Sequence, residues 1–187
     1  VTAVINLHPF HTLHVSSTAK AFPDARLFGT RRHVRREPSL RWEAVHSEDP
    51  ELNGLFGEDF YFSVPRGVDL VPQNEHLHFS SVLAFHKQSR TLHVDDTLTF
   101  ANLPLVGGLR FHPSLGSVLQ KRPGAAEEFR SWAAELIELC KGVDHLCPAH
   151  LKKLPADRAQ GRAIDERIRD ALAKVETVLT KHQAKYG

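Results

Sequence analysis

The 187-residue chain has the length of one domain, and its composition, 41% apolar and 25% charged, is typical of a protein that buries a core. Its net charge of +2, with histidine counted as neutral, is too small to indicate a nucleic-acid-binding protein. No stretch approaches the roughly 18 apolar residues of a membrane-spanning helix. Cysteine is sparse, with only Cys140 and Cys147, which favours reduced thiols in a cytoplasmic protein. We therefore expect a single cytoplasmic domain over residues 1–187, with no nucleic-acid or membrane partner.

The N-terminal segment is the most informative part of the chain. The apolar run Val1–Leu7 predicts a buried strand. Three histidines follow it closely: His8, His11 and His14. Residues 15–22 predict a helix, and the hydroxyl residues near its start are the candidate caps: Ser16, Ser17 and Thr18. A second short strand, "ARLFGT", comes next. Histidines crowded between a strand and a helix are typical of metal sites in α/β proteins.

The middle of the chain contains one irregular region and one clear hairpin. Residues 31–57 are charged and interrupted by prolines, which predicts irregular structure. The alternating stretch "DFYFSVP" predicts a strand. Further along, Val82–Phe85 predicts one strand of a hairpin, His86–Ser89 its turn and Thr91–Val94 the returning strand.

The last third of the chain is dominated by two amphipathic helices. Residues 101–125 are rich in glycine and proline and predict loops. Apolar residues at helical spacing then predict helices over Ala125–Lys141 and Ile164–Tyr186, with a short strand, "VDHLCPAH", between them. These helices could pack on the sheet or on a second copy of the chain, which leaves a homodimer open. The element order predicts a mixed α/β layered domain.

Polar side chains follow or end several of these strands. They are His8, His11, His76 or His78, Asp96 and His150. Histidines with a carboxylate suit Zn, and alternatively Fe or Mn, as one or two ions. A carboxylate can bridge two ions that lie about 3.5–4 Å apart. Asp95, by contrast, is interpreted as a turn or cap residue.

This order of motifs resembles the metallo-β-lactamase fold superfamily, whose members carry His-x-His-x-Asp-His after a strand and often an "FP-x-A" turn behind the helix that follows. Counting back from Phe22-Pro23 places the last histidine of that motif on His11 and its second histidine on His8. The stretch "HLHFSSVLAFHKQSRTLHVDDTL" matches a later histidine, a hairpin with S-R-T-L and an aspartate. The resemblance assigns these roles to His78 and Asp96.

The resemblance implies an α/β (α+β) fold, a four-layer αβ/βα sandwich whose first strands would precede Val1. It implies that the segment "LCPAH" supplies the last histidine, His150. The implied metal ligands are then five: His8, His11, His78, Asp96 and His150. Asp96, as the bridging carboxylate, is also the implied catalytic residue.

Two positions depart from the family pattern. Asn6 stands where the first histidine is expected, and Phe10 stands where an aspartate ligand is expected. Asparagine is a weak ligand and phenylalanine cannot bind a metal. His14, one helical turn beyond His11, could supply a replacement. These departures put a second ion in doubt.

Two functions from different classes follow from the resemblance. The first is a metal-dependent hydrolase of a small-molecule ester, lactone, thioester, amide or phosphoester, which uses a metal-activated water. The second is a non-catalytic relative that acts as a binding or interaction module with at most a structural metal. The phenylalanine at position 10 is the sequence feature that favours the second.

Overall fold

The computed structural model describes residues 1–101, 108–149 and 162–187. Over these residues the fold is mixed α/β, with open sheets of two, four and two strands and with six helices. In chain order the elements are β1 (Ala3–Ile5), α1 (Val15–Ala21), β2 (Arg26–Phe28), α2 (Arg31–Arg36), α3 (Glu51–Phe56), β3 (Phe60–Ser63), β4 (Leu83–His86), β5 (Thr91–Asp95), β6 (Leu98–Ala101), β7 (Gly108–Phe111), α4 (Leu115–Val118), α5 (Ala125–Cys140), β8 (His145–Pro148) and α6 (Ile164–Tyr186).

The predicted order of strand, histidine loop, helix and strand is confirmed at the N-terminus, but β1 is shorter than the predicted Val1–Leu7 and is half-buried rather than buried. β1 and β2 are parallel neighbours, and α1 lies between them in the chain. Two hydrogen bonds hold the chain as it leaves β1. The Asn6 N–H donates to the Phe28 carbonyl at 3.0 Å, and the Leu7 carbonyl accepts the Val82 N–H at 2.9 Å. The histidine loop therefore starts from a position held by both β2 and the residue that precedes β4.

The predicted helix cap is wrong by about half a turn. α1 begins at Val15, and His14 is its N-cap residue. The candidate caps Ser16, Ser17 and Thr18 lie inside the helix, where the Ser17 hydroxyl donates to the His14 carbonyl at 2.9 Å. Val15 is 3% exposed, so burial of this side chain accounts for a start ahead of the hydroxyl residues.

Residues 31–57 are not irregular throughout, contrary to the sequence-based expectation, because they contain α2 and α3. Arg32 and His33 of α2 are 7% and 0% exposed. The first turn is closed by Thr30, whose N–H donates to His33 Nδ1 at 3.1 Å. Basic residues are buried only when they are paired. The partners of Arg32 are Pro9 and Glu75, which lie in distant segments, so the composition of this stretch did not indicate that Arg32 is buried in a helix.

The central sheet has the strand order β3-β4-β5-β8. β4 and β5 form the predicted antiparallel hairpin, and β8 pairs with β5 in parallel. Between His93 and Asp95 the register of β5 against β8 shifts, and Asp95 has a positive φ of 45°. β5 is therefore distorted at its carboxyl end, next to Asp96.

Residues 101–125 are not only loops, which corrects the prediction from glycine and proline content. β6 and β7 form an antiparallel hairpin in which Leu98 lies opposite Phe111, and both side chains are buried. α4 follows and buries Leu115 and Val118. Burial of these apolar side chains against the rest of the core outweighs the local breakers.

The two amphipathic helices are confirmed close to their predicted bounds. α5 buries Phe129 and Trp132, and α6 buries Ile168 and Leu179 in the same apolar core. Both helices thus cover their apolar faces within the chain. None of the described helices has the length and apolar character needed to cross a membrane.

Gly67 is a position where only glycine fits, because its φ is 71° and a Cβ there would lie 1.9 Å from the Ala125 carbonyl oxygen. We predict that Gly67→Ala lowers the free energy of unfolding by about 3 kcal/mol, from backbone strain and overpacking together. Gly54, exposed in α3 with nothing within 4 Å of its Cβ position, is the matched control. Gly54→Ala should raise stability by about 0.5–1 kcal/mol. Urea unfolding checks both, and equal effects of the two changes would contradict the prediction.

Candidate metal centre

The histidine loop and the distorted end of β5 meet at one place. His8 and His11 come from the loop after β1, and Asp95 and Asp96 come from the end of β5. One nitrogen or carboxylate oxygen from each of the four side chains lies within 4.8 Å of all the others. His8, Asp95 and Asp96 are buried, whereas His11 faces solvent. This His/Asp cluster is a group that could hold a metal ion.

The distortion of β5 is what brings both carboxylates into the cluster. Successive side chains of a regular strand alternate between the two faces of a sheet, so adjacent aspartates would separate. The register shift and the positive φ at Asp95 interrupt that alternation. His93 lies two residues before Asp95, and its Nε2 is 3.4 Å from Asp95 Oδ2. The β5 end therefore supplies an imidazole as well as two carboxylates.

Asp96 is the carboxylate around which the histidines gather. Its Oδ2 lies 3.1 Å from His8 Nε2, 3.7 Å from His11 Nε2 and 4.0 Å from His78 Nδ1. A tetrahedral ion with bonds of about 2.0–2.1 Å separates its ligand atoms by about 3.4 Å. The separations around Asp96 therefore suit ligands of one ion.

Asp95 is held as an anion by neighbouring imidazoles. Burial alone would raise the pKa of its carboxyl, but hydrogen bonds from His11 and His93 keep that pKa well below its usual range. The hydrogen bond to Asp95 in turn raises the pKa of His11, against the opposing effect of partial burial. The Asp95–His11 contact therefore favours a charged pair when no cation is bound.

Asp95 also orients His11. Asp95 Oδ2 lies 3.4 Å from His11 Nδ1, so the Nδ1 proton faces Asp95 and Nε2 is the atom on the Asp96 side. A carboxylate that takes the second ring proton of a ligating histidine is the usual outer partner in metal sites, and it fixes the tautomer of the ring. His11 is thus preset to offer Nε2 to a cation beside Asp96.

His8 is set differently, because the Phe10 N–H donates to its Nδ1 at 3.2 Å. In the neutral ring the proton is then on Nε2, which faces Asp96 but makes no aligned hydrogen bond. An ion held by His8 Nε2 would require the ring proton on Nδ1, which would replace the hydrogen bond that Nδ1 accepts from Phe10. The buried Nε2 of His8 and Oδ1 of Asp95 both lack a hydrogen-bond partner, as expected where a cation completes a site.

The residues predicted from the sequence are partly brought together here. His8, His11 and Asp96 belong to the His/Asp cluster, and His78 lies at its edge with a side chain 42% exposed. His76 is exposed, and its backbone N–H donates to Asn74 Oδ1. The prediction for His150 lies outside the described residues, as does the rest of the segment up to residue 161.

Two members of the centre were not predicted as site residues. Asp95, interpreted as a turn or cap residue, lies in the cluster, and His93 contacts it. A histidine two residues before an aspartate pair, at the end of a predicted strand, was the available signal. In a regular strand, adjacent side chains face opposite sides, so this signal predicts only one of the two aspartates at the site.

A buried arginine holds the two segments that carry the histidines. Arg32 Nη1 donates to the Pro9 carbonyl at 2.9 Å, and its guanidinium carbon lies 4.4 Å from the centre of the Phe10 ring. Its Nη2 donates to Glu75 Oε2 at 2.9 Å. Phe10 stacks on His78, with ring centres 4.6 Å apart. Arg32 thus joins the histidine loop to the segment that carries His78.

Comparison of the chain with models of known protein families gave no match, and comparison with curated proteins gave none either. The resemblance to the metallo-β-lactamase superfamily therefore rests on the residues of this chain alone.

His33, fully buried beneath the histidine loop, is predicted to make stability pH-dependent. Its Nε2 lies 3.5 Å from the His11 carbonyl, and burial, aided by nearby positive groups, lowers its pKa to about 4. In the unfolded chain this ring is protonated below about pH 6.5. In the folded chain it is protonated only below about pH 4. Stability present at neutral pH is therefore lost over this window, by up to about 3 kcal/mol.

The change that tests this is His33→Gln, which should flatten the fall in stability between pH 7 and pH 4. Urea unfolding with a chelator present measures it. His76→Gln, at an exposed position, is the control and should keep the pH dependence of the wild type. A wild-type slope in His33→Gln would show that other groups cause the dependence.

Arg32→Lys is predicted to weaken metal binding at the His/Asp cluster by about tenfold or more, because the compact ammonium of lysine cannot reproduce the planar fork that bonds Pro9 and Glu75 and lies against Phe10. Competition against a chromophoric chelator measures the affinity. Arg36→Lys is the matched control, since Arg36 also pairs with Glu75, at 2.6 Å, but is exposed. Equal losses in the two variants would mean that only the charge near Glu75 matters.

Proposed function

We propose that this protein is a metal-dependent hydrolase, with a transition ion held by His8, His11 and Asp96. The observation that carries the proposal is the His/Asp cluster, which gathers nitrogen and oxygen donors from two separate elements within 4.8 Å of one another. Buried carboxylates are costly unless cations compensate them. Two adjacent buried aspartates ringed by imidazoles are therefore best explained as a cation site.

The proposed fold is the four-layer αβ/βα sandwich of the metallo-β-lactamase type. Its support is the order of elements: a histidine loop between β1 and α1, the β4–β5 hairpin, an aspartate at the end of β5, and the late strand β8 beside β5. The Ala149 N–H donates to the Asp95 carbonyl at 3.2 Å. The last described residue before His150 is thus next to the centre, in keeping with a ligand role for His150.

The proposed chemistry is hydrolysis by water. When bound, Zn, or alternatively Fe or Mn, would lower the pKa of a coordinated water toward neutrality and stabilise negative charge on a substrate oxygen. Asp96 would bind the ion and compensate its charge. Asp95 would keep the proton of His11 on Nδ1, so that Nε2 stays available. No side chain is assigned as general acid.

The proposed centre could hold one ion or two. Phe10, where the resemblance expects an aspartate ligand, is stacked between His78 and Arg32 and offers no donor. Asp95 and His93 provide an oxygen and a nitrogen on the other side of His11. A second ion would therefore depend on Asp95 rather than on position 10.

A non-catalytic binding module is the second candidate. The observation that favours it is again Phe10, since an aromatic side chain packed against His78 turns part of the motif into a structural contact. In that case an ion would stabilise the loop between β1 and α1 without turning over a substrate.

Elemental analysis of protein purified without chelators is the first test, and we expect one or two equivalents of Zn, Fe or Mn per chain.

We predict that Asp96→Asn lowers zinc affinity by more than about 100-fold, because Asp96 would bind the ion directly. The loss of a residue that only positions a ligand costs about 10- to 100-fold. Asp96→Asn and His78→Ala should each slow the hydrolysis of an ester that the wild-type protein is found to cleave. The loss in Asp96→Asn should be at least about 100-fold. Asp59→Asn, at an exposed carboxylate, should change neither quantity.

The same variants separate the two candidates. Hydrolysis that persists in both Asp96→Asn and His78→Ala would exclude the metal-hydrolase mechanism. Loss of metal accompanied by an equal loss of thermal stability, with no hydrolysis in the wild type, would favour the structural metal of the non-catalytic module. Absence of metal even after adding it back would exclude a metal site.

A further inference from the structure

A groove lies directly beside the His/Asp cluster. Its volume is about 510 Å³, within the range of roughly 300–1,000 Å³ for small-molecule sites. Its lining residues come from the end of β1, the histidine loop and α1: Asn6, Phe10, His11, Thr12, Leu13, His14, Val15 and Thr18. A smaller cavity of about 230 Å³ also contains Asn6 and His11, and it reaches His8, His93 and Asp95. A molecule in the groove would therefore meet the candidate metal centre at His11.

Among the described residues that line the groove, only the imidazoles can carry a charge. None of its described lining residues is Asp, Glu, Lys or Arg. The guanidinium in contact with Phe10 belongs to Arg32, which is 7% exposed and already bonds Pro9 and Glu75. A phosphoester or a carboxylate-bearing substrate needs a cation to offset the cost of leaving water. Apart from His11, which is paired with Asp95, and the proposed ion beside it, the described lining offers no such cation, so the part of the groove away from the His/Asp cluster favours a neutral group.

Leu13 gives the groove an apolar surface that the fold does not use. Its side chain is 87% exposed, in the turn before α1. A single exposed leucine is ordinary on a protein surface. Here, however, it lines the same groove as Phe10 and Val15 and flanks a metal-type cluster. An apolar chain bound in the groove would cover it and bring the attached polar group toward His11.

We propose that this groove holds the linear apolar acyl chain of an uncharged carboxylic ester, an inference that rests on the proposed hydrolase function. The ester carbonyl would then lie at the His11 end, beside the His/Asp cluster. Hydrolysis adds one water across the ester: the water oxygen bonds to the acyl carbon, the C–O bond to the alcohol breaks, and the alcohol oxygen takes a proton. The products are a carboxylic acid and an alcohol.

The zinc-loaded protein is assayed with p-nitrophenyl acetate, butyrate, hexanoate and octanoate, and with p-nitrophenyl phosphate and bis(p-nitrophenyl) phosphate. We expect kcat/KM to rise by about two- to fourfold per added methylene, the value for burying a CH₂ group. The phosphoesters, which have no acyl chain to bury in the groove, should react at least about 100-fold more slowly than the octanoate ester. Ester rates independent of chain length, or faster phosphoester hydrolysis, would overturn the inference and leave the hydrolase function standing.

Leu13→Gln should lower the ratio of octanoate to acetate kcat/KM at least fivefold. Leu55→Gln is the matched control, since Leu55 is also exposed, at 44%, but lies in α3 and does not line the groove. It should leave the ratio unchanged. A ratio that is unchanged in Leu13→Gln, or equal in the two variants, would overturn the assignment of the acyl chain to this groove.

Binding without turnover separates the two proposals. Octan-2-one and octyl phosphate are titrated into metal-free protein, and the amide NMR shifts of Thr12, Leu13 and Val15 are followed. We expect the ketone to bind with shifts at these residues, and Leu13→Gln to weaken it at least threefold. Ketone binding together with absent metal and absent hydrolysis would overturn the proposed function and support the groove. Tighter binding of octyl phosphate, or no shifts with either probe, would overturn the groove assignment.

Discussion

The burial of two successive carboxylates at the end of β5 is the constraint on which the rest of the site depends. Asp95 and Asp96 are 5% and 2% exposed, and anions at that depth require compensating positive groups. Imidazoles from the loop after β1, from β5 itself and from the segment before β4 lie around the two carboxylates. Because the buried carboxylates need a positive partner, either an imidazolium or a metal ion, three distant parts of the chain meet at this site.

Support for this arrangement comes from outside the cluster. The loop between β1 and α1 is fixed at its start by hydrogen bonds to Phe28 and Val82, and in its middle by Arg32. From beneath, His33 reaches the His11 carbonyl. The α2 helix, whose sequence is basic, is therefore a structural support: Arg32 and His33 hold the backbone of the loop that carries His8 and His11. In metal sites, replacing the residues that position the ligands typically costs about 10- to 100-fold in affinity.

The same features bear on the choice between hydrolase and binding module. Phe10 removes one donor from the expected motif, yet Asp95 restores a carboxylate from the other side of His11. In the proposed centre, Asp95 would stand in for the aspartate that the resemblance expects at position 10. Phe10 lies in the wall of the adjacent groove, where an aspartate would have made that wall charged. The residue at position 10 thus affects both the donors of the proposed site and the polarity of the groove.

The sequence by itself determined what local patterns encode. Helical spacing located α5 and α6, alternation and a turn located the β4–β5 hairpin, and the histidines after β1 marked the loop that carries His8 and His11. It did not reveal α2 or the β6–β7 hairpin, whose polar or glycine-rich segments are ordered by partners far away in the chain. Nor did it reveal the role of Asp95. The position of its carboxylate depends on a register shift between β5 and β8. These strands lie about fifty residues apart in the sequence, so only their pairing in the tertiary structure decides where the carboxylate lies.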